Sequence, residues 1–163
     1  MKIIHLIRHA KSSWENPSTS DFYRKLNERG LRDAHFMAEE LKKLAYHPDY
    51  ILCSPAKRTT KTAEFFTEKL NLHQNHIHFE QRIYEASLKT LLEVLNEIPN
   101  QYNNIALIGH NPAITQLSNF LTTDYIDNIP TCGIVKIEMD IEDWQHIIEG
   151  IGRKLFFIYP KMF

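Results

Sequence analysis

Two cysteines in 163 residues, Cys53 and Cys132, exclude a disulfide-stapled scaffold. With no export signal in view, these two distant residues are expected as buried thiols. A basic excess is equally absent: 19 Lys and Arg stand against 20 Asp and Glu, for a formal net charge of -1. No surplus is left to neutralise a nucleic-acid backbone, and no nucleic-acid partner is expected. Long apolar runs are missing too. The stretch after Met1 and Lys2 is broken at His5 and Arg8, so neither a secretory h-region nor a spanning helix can be read, and a cytoplasmic protein without a membrane partner is expected. Linkers, repeats and low-complexity tracts are not seen, which leaves a single domain over residues 1–163 as the expectation. Hydrophobic residues at 43% and charged residues at 24% suit a soluble globular chain of that kind.

What is present alternates between two periods. Ile3 to Ile7 is a short apolar run that ends in a polar stretch, Arg8 to Ser13, as a buried strand opening into a loop would. Asn27 can cap a following helix carrying Leu31, Ala34, Met37, Ala38, Leu41 and Leu44 at helical spacing. The pattern repeats with Tyr50 to Cys53, punctuated by Ser54-Pro55, and a helix over Thr59 to Leu70 with Ala63, Phe66 and Leu70 on one side. Ile77 to Phe79 then precedes a stripe of Leu88, Leu91, Leu92, Leu95 and Ile98, and Ile105 to Ile108 precedes Ile114, Leu117 and Leu121. Val135, Ile137 and Met139 alternate with Lys136 and Glu138 as in a strand with one wetter face, and Leu155 to Tyr159 reads as a closing strand. The implied fold is α/β: a three-layer sandwich with a mostly parallel central sheet and helices on both faces. Ser12 to Ser20 is the longest loop-like stretch and suits a mobile flap.

The chemistry-bearing residues fall at equivalent places in this pattern. Arg8 and His9 follow the first strand, Arg58 the second, and His110 the fourth. The carboxyl ends of strands in an open α/β sheet face a common crevice, so these four residues are expected to meet there, beside helix amino termini that favour anions. Two guanidinium forks and two imidazoles suit a phosphate dianion. Arg donates bidentately without losing its charge, and one His can be neutral and nucleophilic while the other donates to the transferring group. Such a site needs no metal, and no carboxylate cluster of metal-ligand form lies nearby. His73, His76 and His78 match neither a zinc finger nor the helical His-Glu-x-x-His spacing, and are expected in a solvated loop. Neither a metal nor another cofactor is therefore expected.

The residues also resemble a family. Leu6 to Ser12 is similar to the Arg-His signature of the histidine phosphatase, or phosphoglycerate mutase-like, superfamily. Ser54 to Ala63 resembles its second block, in which the arginine holds phosphate and the Thr-Ala pair packs inward; Gly109-His110-Asn111-Pro112 resembles its late histidine block. The His-Ala-Lys-Ser-Ser-Trp start, Asp21, Arg24, Leu26 to Gly30, and Pro130-Thr131-Cys132 resemble the short SixA-type phosphohistidine phosphatase branch, from whose commoner Asp and Pro Tyr23 and Lys25 depart.

The resemblance implies a sandwich with a mixed sheet, a phosphohistidine intermediate at His9, and hydrolysis by water, with Arg8, Arg58 and His110 holding phosphate. Glu85 is the one candidate for a general acid, weighed evenly against a solvated charge ahead of the helix that starts near Ser87. His5 shares a strand face with His9, and is expected as a hydrogen-bonded core residue more than as support for the nucleophile. Cys132 is expected to border the pocket through its strand or to fill the core. The leading substrate is phosphohistidine on a protein such as a phosphotransfer domain. A small phosphomonoester and a non-catalytic phosphoprotein-binding module are the alternatives.

Overall fold

The computed structural model describes residues 1–163. Six strands form one sheet: β1 (Lys2–Arg8), β2 (Tyr50–Cys53), β3 (Ile77–Phe79), β4 (Asn104–Gly109), β5 (Ile134–Met139) and β6 (Gly152–Ile158). The spatial order is β3-β2-β4-β1-β5-β6. Four helices cover the sheet: α1 (Glu28–Lys43), α2 (Lys57–Lys69), α3 (Leu88–Asn96) and α4 (Ala113–Leu121). Strands β1 to β4 pair in parallel, while β5 pairs antiparallel with both β1 and β6, so the sheet is mixed with a single strand reversed.

Strand alternation divides the apolar residues between two cores. Ile4 and Leu6 of β1, Leu52 of β2, Ile105 and Leu107 of β4 and Val135, Ile137 and Met139 of β5 face α3 and α4. Ile7, Ile51, Cys53, Ala106, Ile108 and Ile134 face α1 and α2. Both faces of β1, β2 and β4 are covered, which is why these three read as apolar runs, whereas β5 alternates because Lys136 and Glu138 stay partly exposed. Asn27 caps α1 by accepting from the Gly30 amide at 2.8 Å, and Ser87 caps α3 by accepting from Thr90 at 3.1 Å. The α1 stripe is buried at Ala34, Met37, Ala38 and Leu41, but Leu31 and Leu44 are 38% and 53% exposed. Leu44 is the residue at which the backbone leaves the helix, and Leu31 lies at the other end, in the first turn. The closing strand starts at Gly152 and not at Leu155, because its pairing with β5 begins at Met139.

One contact ties the fold to its functional end. A Cβ on Gly30 would lie 2.0 Å from the Lys11 carbonyl oxygen, and the Asn27 amide donates to that same oxygen at 3.0 Å. Only glycine lets the first turn of α1 press against the loop that follows β1. Ser12 to Ser20 is irregular, anchored at its start by an isolated bridge between Ser12 and Leu26.

His73 and His76 lie in and beside an exposed 3₁₀ turn, whereas His78 belongs to β3 and stacks on Tyr50 at 4.0 Å. The three do not form a cluster able to hold a metal ion. Cys53 and Cys132 are buried and unbridged.

His5 lies inside the α1/α2 core, 1% exposed and stacked on Tyr46 with ring centroids 3.5 Å apart. It is a core residue, but its Nδ1 has no hydrogen-bond partner, so the expected satisfied ring is not what the structure holds. Burial, with the charge of Lys136, pushes its pKa down to about 3. The unfolded ring titrates near ~6.5, so between that pH and about 3 the unfolded chain binds a proton that the folded chain refuses. Stability from this residue is therefore present above pH ~6.5 and falls as the pH drops through the window, by up to about 1.4 kcal/mol per pH unit. His5→Gln should make the decline in unfolding free energy between pH 6 and pH 4 shallower by about that slope, as read from urea unfolding at a series of pH values; an unchanged slope would show that His5 does not carry it.

Candidate active site

The carboxyl ends of the three adjacent strands β1, β4 and β2 meet at one cavity of about 450 Å³. Arg8 and His9 leave β1, His110 follows β4, and Arg58 lies in the first turn of α2 beyond β2. All four line the cavity, as does Glu85.

The path of the chain at His9 is set by backbone bonds. The Arg8 amide donates to Gly133 O at 3.1 Å and the His9 amide to Gly109 O at 3.1 Å. The Cys132 amide donates to both Arg8 O and His9 O, at 3.1 and 3.0 Å. Cys132 is not on a strand, as expected from the sequence, but in the turn before β5, at a left-handed φ of 60° that aims its amide back at β1; its thiol is buried in the core and lines no part of the cavity. The last tie is Thr62, whose hydroxyl accepts from the Ala10 amide at 3.0 Å and donates to Arg58 O at 2.7 Å. One buried side chain thus links the loop of His9 to the helix turn of Arg58.

His9 Nδ1 lies 2.8 Å from Ala10 O, and a carbonyl can only accept, so Nδ1 carries the proton and Nε2 presents its lone pair. Burial pushes the pKa of His9 down to about 3; the bond to Ala10 opposes this, while His110, Arg58 and Arg8 add to it. The ring is neutral at physiological pH. His110 stands with its ring centroid 5.3 Å from that of His9 and its Nε2 2.8 Å from Ser54 Oγ. Burial and then the charge of Arg58 lower its pKa to about 4.

The guanidinium groups are held from behind. Arg8 Nη1 donates to Ile129 O at 2.9 Å, and Arg58 Nη1 donates to Asp21 O at 2.7 Å. Arg8 Nε, Arg58 Nε and His110 Nδ1 are buried without a partner. Buried polar nitrogens of this kind are costly unless an acceptor reaches them, and an oxyanion with several oxygens is the acceptor that suits two arginines and an imidazole at once.

Asp21 was not singled out as a site residue from the sequence, although it and Arg24 belong to the stretch resembling the short branch. Its carboxylate accepts from Arg58 Nη2 at 3.0 Å, from Tyr84 Oη at 2.6 Å and from Arg24 Nη2 at 3.0 Å. Partial burial works to raise its pKa, but the bonds from Tyr84, Arg24 and Arg58 and the charge of Arg58 hold it well below the usual carboxylate range. Arg24 also donates to Ser12 and lies 3.6 Å over the ring of Trp14, which is 71% exposed at the mouth of the cavity. Tyr84, Trp14 and Thr131 line the cavity as well; they adjoin residues that were recognised, and nothing in their spacing distinguished them. Glu85 is exposed, at a left-handed φ of 56° between a 3₁₀ turn and the cap of α3.

This arrangement and the order of its parts agree with a known family. The model for the histidine phosphatase superfamily (branch 1) matches residues 4–91. The chain belongs to the histidine phosphatase superfamily. An uncharacterized chloroplastic protein of Arabidopsis thaliana is 28% identical over 148 residues, covering 86% of this chain and 67% of the relative. An uncharacterized Mycobacterium tuberculosis protein is 25% identical over 165 residues, covering 95% of this chain and 100% of the relative. Among solved structures, a SixA protein from Agrobacterium tumefaciens superposes with a TM-score of 0.82 at 27% identity, over 98% of both chains. The protein histidine phosphatase SixA complexed with tungstate shares the fold at a TM-score of 0.83 and 20% identity, again over 98% of both chains.

The Asp21 carboxylate offsets part of the positive charge that an incoming anion would meet. Asp21→Asn removes the charge and leaves one acceptor oxygen, enough for Arg24 or for Arg58 and Tyr84 but not for all three, because the two carboxylate oxygens serve them separately. A like charge within several ångströms at a partly solvated site costs on the order of 1 kcal/mol, so this variant should bind inorganic phosphate about three- to tenfold more tightly in calorimetric titration. Unchanged affinity would show that the carboxylate does not reach the anion.

Proposed function

We propose that this protein is a metal-independent phosphatase that removes the phosphoryl group from phosphohistidine on a protein, through a covalent intermediate at His9. The observation that carries the reading is the imidazole of His9, held through Nδ1 by Ala10 O so that Nε2 is left to react, beside Arg8, Arg58 and His110 around one cavity. Membership of the histidine phosphatase superfamily supports phosphatase chemistry at those residues. A binding module would use the arginines but has no need of a buried, oriented nucleophile.

In the proposed reaction the Nε2 lone pair of His9 attacks phosphorus while the bond from phosphorus to the leaving nitrogen breaks. The leaving imidazole, protonated on its other nitrogen, departs as a neutral ring. The His9 ring becomes cationic, and its Nδ1–H bond to Ala10 O strengthens as that charge develops. Arg8 and Arg58 stabilise the equatorial oxygens, and His110 donates to one of them once the dianion has raised its proton affinity. Water then attacks phosphorus, the bonding pair returns to Nε2, and the proton of water passes to the leaving phosphate or to solvent.

The carboxylates at the cavity favour a substrate whose leaving group needs little help. Asp21 is held ionised by three donors, and Glu85 is exposed at the rim. Neither is a buried acid aimed at a leaving oxygen. Phosphohistidine departs without one, whereas an alkyl ester would need one for a gain of ~100-fold to 10,000-fold. A small phosphomonoester is the second reading, favoured only by the position of Glu85 on the cavity wall.

Two experiments test this. With a reactive substrate, rapid quenching should trap an acid-labile, base-stable phosphoenzyme in the wild type and none in His9→Ala, whose turnover should fall by at least about a thousandfold. Full turnover by that variant would remove His9 from the role. Glu85→Gln should change turnover of phosphohistidine and of nitrophenyl phosphate by less than about tenfold, with alkyl phosphates poor substrates of both forms. Efficient hydrolysis of a sugar phosphate that Glu85→Gln alone abolishes would favour the small-molecule reading.

A further inference from the structure

A second depression of about 650 Å³ adjoins the catalytic cavity, between the 3₁₀ turn Asp21–Tyr23, the start of α1 and the outer side of α2. Its apolar surface includes Phe22, Tyr23, Leu31 and Pro55. Tyr23 is 63% exposed and Leu31 38% exposed, and neither belongs to the two cores of the fold. Adjacent exposed apolar side chains in a concave surface mark a place where something binds, more than isolated surface leucines do.

The rim gives the occupant a sign. Lys57, Lys61 and Glu64 line the groove at the i, i+4, i+7 spacing of one helix face, while Arg58 and Thr62 turn inward from the same helix to the phosphoryl site. Lys25 faces the groove from the other side. Glu64 is paired with Lys61 at 3.2 Å, which leaves Lys25 and Lys57 without an ion-pair partner in a chain whose formal net charge is -1. Two spare cations over an apolar floor complement carboxylates with interspersed apolar side chains, and are too few to hold a nucleic-acid backbone.

The groove and the site are lined by neighbouring residues of the same segments. Phe22 follows Asp21, Pro55 follows the Ser54 that bonds His110, and Lys57 precedes Arg58. A chain segment lying in the groove therefore runs beside the two segments that also carry Asp21 and Arg58 of the site. We propose that this groove docks an acidic, partly apolar segment of the phosphoprotein substrate next to its phosphohistidine. The inference rests on the phosphohistidine reading of the site and adds how a protein substrate is selected: a single phosphoimidazole offers little area, and the flanking segment supplies the remainder.

The test uses two synthetic peptides, each carrying one histidine phosphorylated with phosphoramidate. Their flanks are matched except that one bears Glu and Leu and the other Lys and Leu; free phosphohistidine and nitrophenyl phosphate serve as controls. Wild-type kcat/KM should favour the acidic peptide by about tenfold or more, the gain expected when two rim charges each find a partner, and the preference should shrink as salt is raised. The double variant Lys25→Glu/Lys57→Glu, which reverses the two unpaired cations, should reverse the preference, and Tyr23→Ala should raise KM for the peptides. Turnover of nitrophenyl phosphate should stay within about twofold in all of them, which shows that they fold. Equal use of both peptides, or a preference that the charge reversal leaves intact, would overturn the docking groove alone. If neither peptide nor free phosphohistidine is hydrolysed while nitrophenyl phosphate is, the phosphohistidine reading fails and the groove falls with it.

Discussion

The hydroxyl of Thr62 joins two segments that chemistry requires to be in register, accepting from the Ala10 amide and donating to the Arg58 carbonyl. It is fully buried in the second turn of α2, so its two bonds are made away from competing water. Around it the Arg8–His9 peptide is clasped by Gly109, Cys132 and Gly133, so that the chain leaving β1 has no freedom to swing. Every other feature of the site depends on that fixed path. The His9 ring can bond its neighbour's carbonyl, and the two guanidinium groups can face one cavity, only because the loops that carry them are tied together behind the site.

The electrostatics follow from the same geometry. Two arginines and two histidines would repel one another if all were charged, and burial resolves the conflict by keeping both imidazoles neutral. Asp21 supplies one negative charge against Arg58 and Arg24, and Tyr84 fixes the carboxylate in place. The site is thus positive, partly neutralised, and holds several buried nitrogens with no acceptor. A site of this kind gains most from a ligand that brings both charge and several acceptors, which describes a phosphoryl group better than a carboxylate or a neutral amide.

The scaffold beneath is divided into two cores that use the same strands. Successive residues of β1, β2 and β4 point alternately into the α1/α2 layer and the α3/α4 layer, so a one-residue slip in any of them would exchange the two sets. Each large apolar side chain so placed is worth roughly 1.5–3 kcal/mol on burial, which makes the register, and with it the position of Arg8 and His9 at the end of β1, a strongly held quantity. Gly30 extends this control beyond the sheet, because its lack of a Cβ lets α1 press on the loop that leaves the site.

The amino-acid sequence by itself determined the strand and helix units and the convergence of Arg8, His9, Arg58 and His110. Apolar runs and helical stripes are local signals, and equivalent positions in successive parallel units share one end of a sheet. It also carried the Asn27 cap, a contact made within three residues. The reversal of β5 was not legible from periodicity, because side chains alternate with the same period of two in either direction. The role of Asp21 was not legible either: it lies in an irregular stretch, and its function comes from Arg58, 37 positions away, and Tyr84, 63 positions away. Cys132 was expected to border the pocket through its strand or to fill the core; it fills the core, and its left-handed backbone turns its amide into a brace for the nucleophile loop, which no local pattern announced. Glu85 could be named from its neighbours, and only the folded chain placed it on the cavity wall. Local pattern encodes what each segment is, whereas a bond between distant residues exists only once packing has brought them together, and that is why the tertiary structure alone decided the second half of this site.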